Sequence, residues 1–283
     1  MKVLVTGASG YVGSRLIQVL SKTHDIIALS RKRVEYDQRI TWIEGQFHSK
    51  DDLHKLDTFQ IDCVIHLAAV TAGFEESYTI NTNASGTLCL LRYCVDRGCK
   101  KFILASSIAA VGCLSESFLP LTIPIQEEHP CIPADAYGIS KALVEEIAGY
   151  FCRSNLDLSI SILRYGAIKD FSTWRPPAET VFQKPFLKLS SVDLEDVVEA
   201  TTLIAEKQTP PGIRNYNIVS PVATCEKPTG DVLLSSLGKR IEKYDLSYYA
   251  KQGMEHAPVY SIEKLQSDFD FIPKRIPDFS NLK

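Results

Sequence analysis

No two cysteines in this 283-residue chain are spaced C-x-x-C, which argues against a zinc ribbon or a dithiol redox motif. No apolar run approaches the ~20 residues that a membrane span needs. Neither sign of charge is in large excess, since 31 basic and 34 acidic residues leave a formal net charge of -3. That balance argues against a general binder of nucleic acid or anionic membranes. The first strand begins almost at Met1, so no secretory leader is expected. There is no repeat, low-complexity stretch or independent linker, and no metal is expected. The expectation is a cytoplasmic protein that acts on a small-molecule substrate, and a homodimer is compatible with it.

What is present is ordinary in bulk and specific in pattern. Hydrophobic residues are 45% and charged residues 23%, as in soluble globular proteins. Length gives a prior of roughly two domains. The eight cysteines (Cys63, Cys89, Cys94, Cys99, Cys113, Cys131, Cys152 and Cys225) sit mostly among apolar neighbours. They read as small buried hydrophobes in a reducing compartment.

Up to Arg164 the chain alternates strand and helix. Apolar, β-branched runs predict strands at Lys2 to Thr6, Asp25 to Ser30, Ile40 to Glu44, Ile61 to Leu67, Lys101 to Ala105 and Leu158 to Leu163. Helical spacing predicts helices over Tyr11 to Ser21, Asn83 to Val95 and Tyr137 to Arg153. Such alternation implies βαβ units and a doubly wound parallel sheet, an α/β Rossmann architecture. Beyond Arg164 a Pro-rich excursion, Asp170 to Leu187, precedes a helix over Val192 to Lys207 and a strand over Ile213 to Val219. The expected division is a nucleotide-binding body of 1–164 with 190–220 returning to it. A small discontinuous C-terminal cap of 165–189 and 221–283 completes it.

Gly7-Ala8-Ser9-Gly10-Tyr11-Val12-Gly13 joins the first strand to the first helix. Gly7 permits a tight turn, Gly10 lets the backbone approach a pyrophosphate, and Gly13 lets helix and strand pack closely. The helix start then offers unpaired N–H donors and its positive dipole end to the anion. Ser9, Tyr11 and Val12 belong to the same loop. A P-loop is excluded, because Ser14-Arg15 follows Gly13. The second strand ends in Ser30-Arg31-Lys32-Arg33, where an NAD site usually carries an acid for the ribose 2′-hydroxyl. Ser30, Arg31 and Arg33 suit a 2′-phosphate instead, so NADP(H) is favoured over NAD(H).

Tyr-x-x-x-Lys occurs three times, as Tyr137/Lys141, Tyr165/Lys169 and Tyr260/Lys264. Only Tyr137 opens a clear helix, whose spacing places Lys141 beside its ring. A phenol titrating near ~10 needs such a cation to act as a base at neutral pH. Leu104-Ala105-Ser106-Ser107 brings two hydroxyls to the carboxyl edge of the sheet, where Ser107 could bond a substrate oxygen or merely cap a turn. His66 ends an apolar strand and reads as structural. Phe171, Trp174, Arg175 and Phe186 are candidate pocket residues, with Arg175 a candidate for a phosphate.

These motifs together resemble the extended short-chain dehydrogenase/reductase family, in its NAD(P)-dependent epimerase/dehydratase branch. GASGYVG at 7–13 resembles its cofactor loop, HLAA at 66–69 the segment lining the nicotinamide ribose, and NASGT at 83–87 its N-x-x-G-T helix start. ASSIAAVG at 105–112 and YGISK at 137–141 resemble the serine and Tyr/Lys segments, and SVDLEDVVEA at 191–200 and YNIVS at 216–220 the later ones. The resemblance implies Ser107, Tyr137 and Lys141 as catalytic residues. It implies Leu67, Ala68, Ala69, Asn83, Tyr137 and Lys141 around the cofactor, and Ser107 near substrate; Tyr165, Trp174 and Arg175 are further candidate substrate residues by their own positions.

Two departures narrow the reaction. Ile108-Ala109 follow Ser107 where family dehydratases that remove a 6-hydroxyl often carry Asp-Glu, so 4,6-dehydration is disfavoured. Arg164-Tyr165-Gly166-Ala167-Ile168-Lys169-Asp170 lacks the Asn and Gly-Pro of many sugar epimerases. The leading expectation is an epimerase/dehydratase-type oxidoreductase acting on a secondary alcohol or ketone of a sugar nucleotide or related metabolite. An NADPH-dependent carbonyl (keto-sugar) reductase and a non-enzymatic NADP-sensing protein are the alternatives.

Overall fold

The computed structural model describes residues 1–34, 39–71 and 73–279. Seven strands form the main sheet: β1 (Lys2–Thr6), β2 (Asp25–Ser30), β3 (Ile40–Glu44), β4 (Cys63–His66), β5 (Lys101–Ser107), β6 (Ser159–Tyr165) and β9 (Gly212–Ile218). Their order is β3-β2-β1-β4-β5-β6-β9, and β3–β2, β2–β1, β1–β4 and β4–β5 pair in parallel. A parallel sheet needs crossovers that cover both faces, so its inner strands are buried along nearly their whole length. β1, β2, β4, β5 and β6 show this, whereas β3, at an edge, is half exposed. Two short strands, β7 (Ala167–Lys169) and β8 (Ser191–Asp193), pair in parallel as a separate sheet.

The chain folds as two compact units. The first comprises Met1–Ser106, Ala136–Leu163 and Thr201–Asn215, the second Ser107–Asp135, Arg164–Ala200 and Tyr216–Lys283. The second thus takes in 107–135, Arg164, 190–200 and 216–220, all expected in the nucleotide-binding body. In the first unit, α1 (Tyr11–Leu20) buries Leu16, Ile17 and Leu20. Leu90 and Leu91 of α4 (Gly86–Asp96) join Val144, Ala148 and Phe151 of α5 (Ala136–Ser154) in one core with strand residues such as Leu4, Val64, Phe102 and Ile162. The second unit has its own core, with Phe118, Phe182, Phe186, Leu233 and Tyr260 among its members.

Two helix starts differ from the sequence expectation. The helix expected at Asn83 begins at Glu76, as α3 (Glu76–Ile80), and runs through a π-helical turn at Asn81–Ser85 into α4. Its cap is Glu75, whose carboxylate accepts from the N–H groups of Ser77 and Tyr78 at 3.0 and 2.8 Å. Glutamate is outside the usual N-cap set, so no start signal is legible there. The helix expected at Val192 begins at Leu194, as α7 (Leu194–Glu206), after β8. Asp193 Oδ1 accepts from Glu195 N at 2.8 Å and so stops the strand by capping the helix. The 170–187 excursion is irregular except for α6 (Pro185–Lys188), which starts on a proline.

The eight cysteines are all free thiols, five of them buried. Burial pushes Cys63 up to about 12 and Cys99 up to about 11, which keeps them protonated. His66 is 4% exposed at the end of β4 and fully satisfied. Thr6 donates to its Nδ1 at 2.6 Å, and its Nε2 donates to Thr87 Oγ1 at 3.0 Å, because that hydroxyl spends its proton on Asn83 O. Burial, with the nearby Lys141 cation, lowers the His66 pKa to about 3. The unfolded chain binds the proton first, so His66 should make the fold less stable as pH falls from 6.5 toward 3. Denaturant unfolding of the parent and of His66→Gln should show this slope only in the parent.

Candidate active site

In an open α/β sheet, ligands bind beyond the carboxyl ends of the strands, where the strand order reverses. Here that point lies between β1 and β4. The segment after β1 is the glycine loop, and the segment after β4 is Leu67 to Val70. They touch so closely that a Cβ on Gly7 would lie 2.7 Å from Ala68 N, and Gly7 has φ +69°. A Cβ on Gly13 would lie 2.2 Å from Gly7 O. Helix α1 can therefore start directly against the strand end only with glycine at both positions.

A cleft opens at this edge of the first unit. Gly7, Ser9, Gly10, Ser30, Arg31, Leu67, Ala68 and Ala69 line it, all expected from the sequence. Tyr11, Val12, Gly13, Arg33, Asn83, Tyr137 and Lys141, also expected around the cofactor, are not among its lining residues. Leu29, Gly45 to His48, Val70, Tyr78 and Thr82 also line it and were missed. The loop of 45–48 reaches this edge because β3 runs parallel to β2, a pairing with no local motif. No side chain caps α1 at Gly10. A Cβ there would meet only Gly7 O, at 3.1 Å. A side chain there would ask that carbonyl to give by a few tenths of an ångström, far less than at Gly13, and bare Gly10 leaves the first N–H groups of α1 open to an anion. The cleft fits the phosphates of a dinucleotide on this ground.

At the end of β2 the Ser9 and Ser30 hydroxyls share a hydrogen bond of 2.5 Å. Arg31 is exposed beside them, and the cleft lining holds no carboxylate among the described residues. The adjoining groove, which Arg31 also lines, holds Glu44 and Asp52, of which Asp52 accepts from Lys55 Nζ at 2.6 Å and Gln46 N at 2.9 Å. Asn83 clamps the cleft wall: Oδ1 accepts from Val70 N at 2.7 Å, and Nδ2 donates to Val70 O and Ser140 Oγ.

Tyr137 and Lys141 open α5, one turn apart. The Lys141 ammonium lies 5.8 Å from the Tyr137 ring centre and donates to Ala105 O at 2.7 Å. Lys141 is only 4% exposed, and this burial lowers its pKa to about 8. Next to Ala105, Ser106 donates to Glu145 Oε1 at 2.6 Å. Ser107 belongs to the second unit, where its hydroxyl caps the turn Ile108–Val111 by accepting from Ala109 N at 3.1 Å.

Residues 3–168 match the family model described as the NAD dependent epimerase/dehydratase family. The chain belongs to that family. It is 31% identical over 183 residues to a UDP-glucose 4-epimerase of Cyamopsis tetragonoloba, covering 58% of this chain and 51% of that protein. A UDP-glucose 4-epimerase of Halalkalibacterium halodurans is 31% identical over 175 residues, covering 58% and 50%. The chain spans about half the length of the curated relatives it matches. Among solved structures, the Thermotoga maritima UDP-glucose 4-epimerase with UDP-glucose matches at TM-score 0.70 and 21% identity, over 98% of this chain and 94% of that one. A short-chain dehydrogenase/reductase superfamily protein of Agrobacterium tumefaciens with bound NAD matches at TM-score 0.71 and 18% identity, over 98% and 93%. At those identities the likeness is one of fold.

The remaining candidates of this family member lie in the second unit. Tyr165 is buried in β6 and Phe186 is buried against Phe118, so neither faces open solvent. Trp174 stacks on Phe171 at 5.6 Å. Arg175 donates to the carbonyls of Phe171, Ser172 and Trp174 and pairs with Asp278, so its guanidinium closes its own turn. Tyr260 is fully buried, and burial pushes its phenol well above the usual range. Among the described residues no helix is long and apolar enough to cross a membrane, and no group of three His, Cys, Asp or Glu is placed to hold a metal.

The two glycines give a contrast to measure. Gly13→Ala should lower unfolding free energy by ~2 kcal/mol or more, as overpacking against backbone does. Gly10→Ala should lose less stability than Gly13→Ala in denaturant, yet bind dinucleotide more weakly than the parent by calorimetry.

Proposed function

We propose that this chain is an NADP(H)-preferring oxidoreductase that interconverts a secondary alcohol and a ketone, with Tyr137 as acid/base and Lys141 as its cation. The observation that carries this reading is Lys141. Burying an ammonium is costly, and a cation kept in the interior beside a phenol has a chemical use that packing alone does not supply. Tyr137 as phenolate takes the proton of the substrate hydroxyl, and as phenol returns it to the carbonyl oxygen. Lys141 stabilises the phenolate by its charge. Since its own pKa is near 8, this help is present below pH 8 and fades above it. The glycine loop, Ser9, Leu67 to Ala69 and the Asn83-braced wall hold the dinucleotide, with Ser30 and Arg31 at its adenosine end. When bound, its nicotinamide takes up or gives back a hydride at the substrate carbon. The part of Ser107, orienting the substrate oxygen, rests on the sequence resemblance.

The UDP-glucose 4-epimerase relatives support a nucleotide sugar or related metabolite as substrate. Buried Ile108 and Ala109 offer no proton-transferring groups after Ser107, which disfavours 4,6-dehydration. A second reading, a carbonyl reductase that exchanges its cofactor each turnover, is favoured by Ser30 and Arg31 at the end of β2, where no carboxylate lines the cleft itself.

Tyr137→Phe should leave cofactor binding nearly intact and slow the single-turnover step by ~10²-fold or more on any nucleotide sugar or ketone the parent turns over. Tyr165→Phe and Tyr260→Phe should change that step far less. A parent-like rate for Tyr137→Phe would require another base. By calorimetry NADPH should bind more tightly than NADH, and Arg31→Ala should weaken NADPH by ~1–3 kcal/mol. Equal or tighter NADH binding would overturn the cofactor preference.

A further inference from the structure

We propose that Glu145 is a positioning residue that keeps Lys141 protonated, and that Ser106 anchors Glu145 for that task. The proposal rests on the Tyr137–Lys141 reading and deepens it.

Two consecutive residues of β5 clasp one face of α5. Ala105 offers its carbonyl to Lys141 Nζ, and Ser106 donates its hydroxyl to Glu145 Oε1, at 2.7 and 2.6 Å. Lys141 and Glu145 are four residues apart, so they stack on the same helix face. Ser106, Lys141 and Glu145 are all buried. A carbonyl dipole alone is a weak partner for an interior ammonium. The groups around it are His66 from β4, Tyr137 from the first turn of α5, and Glu145. His66 is neutral, because its pKa lies near 3. Glu145 is therefore the negative charge that opposes the desolvation of Lys141, and its effect on Lys141 is upward. Ser106 matters because a carboxylate left to rotate away would lose that effect. The Ser106 hydroxyl fixes one oxygen to the same strand that holds the lysine.

The test is the titration of Lys141 itself, followed by NMR in the 283-residue chain carrying ¹³Cε-labelled lysine and assigned with Lys141→Arg. Glu145→Gln preserves shape and an acceptor for Ser106 but removes the charge. The Lys141 midpoint, near 8 in the parent, should fall by ~1 unit or more, the scale of losing an adjacent opposite charge. Glu145→Asp should recover part of the shift, and Ser106→Ala should lower the midpoint by a smaller amount. A purely structural clasp would leave the midpoint in place. An unchanged midpoint in folded Glu145→Gln overturns the proposal. Should that variant fail to fold, an unchanged midpoint in Ser106→Ala overturns it instead. The alkaline limb of turnover should move to lower pH by the same amount as the midpoint. If the midpoint moves and the limb does not, the Glu145 proposal stands and the Tyr137–Lys141 reading falls.

Discussion

Everything at the cofactor edge depends on two β-carbons that are not there. With Gly7 and Gly13 bare, the carbonyl of Gly7 sits where a side chain would otherwise stand, and α1 abuts the end of β1. That same loop lies against the backbone after β4, so the two strands on either side of the topological switch share one rim. The cleft, the wall braced by Asn83 and the exposure of Gly10 all follow from this contact. A larger residue would push α1 off the sheet and open the rim.

The first unit was legible because its code is local. β-branched runs, a glycine turn and amphipathic spacing are each read from contiguous residues, and β1, α1, β2 and β3 lie where they predict. The cleft was half legible for the same reason. Motif residues were visible, whereas Gln46, Phe47, Tyr78 and Thr82 reach the cleft only through strand pairing and a helix start that Glu75 conceals. The second unit was less readable. Its short elements are fixed by long-range bonds, as when buried Arg164 ties the carbonyls of Glu127 and His129, or Asn217 those of Ile125 and Ser261. Arg175 looked available in the sequence because nothing local shows that it folds back on its own turn.

The tandem serines show how alternation along a strand divides labour. Ser106 is buried and spends its hydroxyl on Glu145, while Ser107 ends the strand and caps the next turn. A turn cap is a structural use, and it leaves the Ser107 oxygen a proton of its own to donate. Polar groups in this region are thus tied to backbone or to one another, which is what a low-dielectric interior requires of them.

The π-helical turn at Asn81–Ser85 has a consequence for the chain's tolerance of change. A π-turn holds about one residue more than an α-turn, and such insertions survive mainly where they serve a site. Each residue advances an α-helix by about 100°, from 3.6 residues per turn. Losing the extra residue would restore a regular helix, but it would rotate Tyr78 by that angle relative to α4. Either the cleft would lose Tyr78, or the Leu90 face would leave its core. The length of this segment is therefore constrained independently of its composition, so an insertion or deletion here should disturb the cleft or the core even where a single substitution does not.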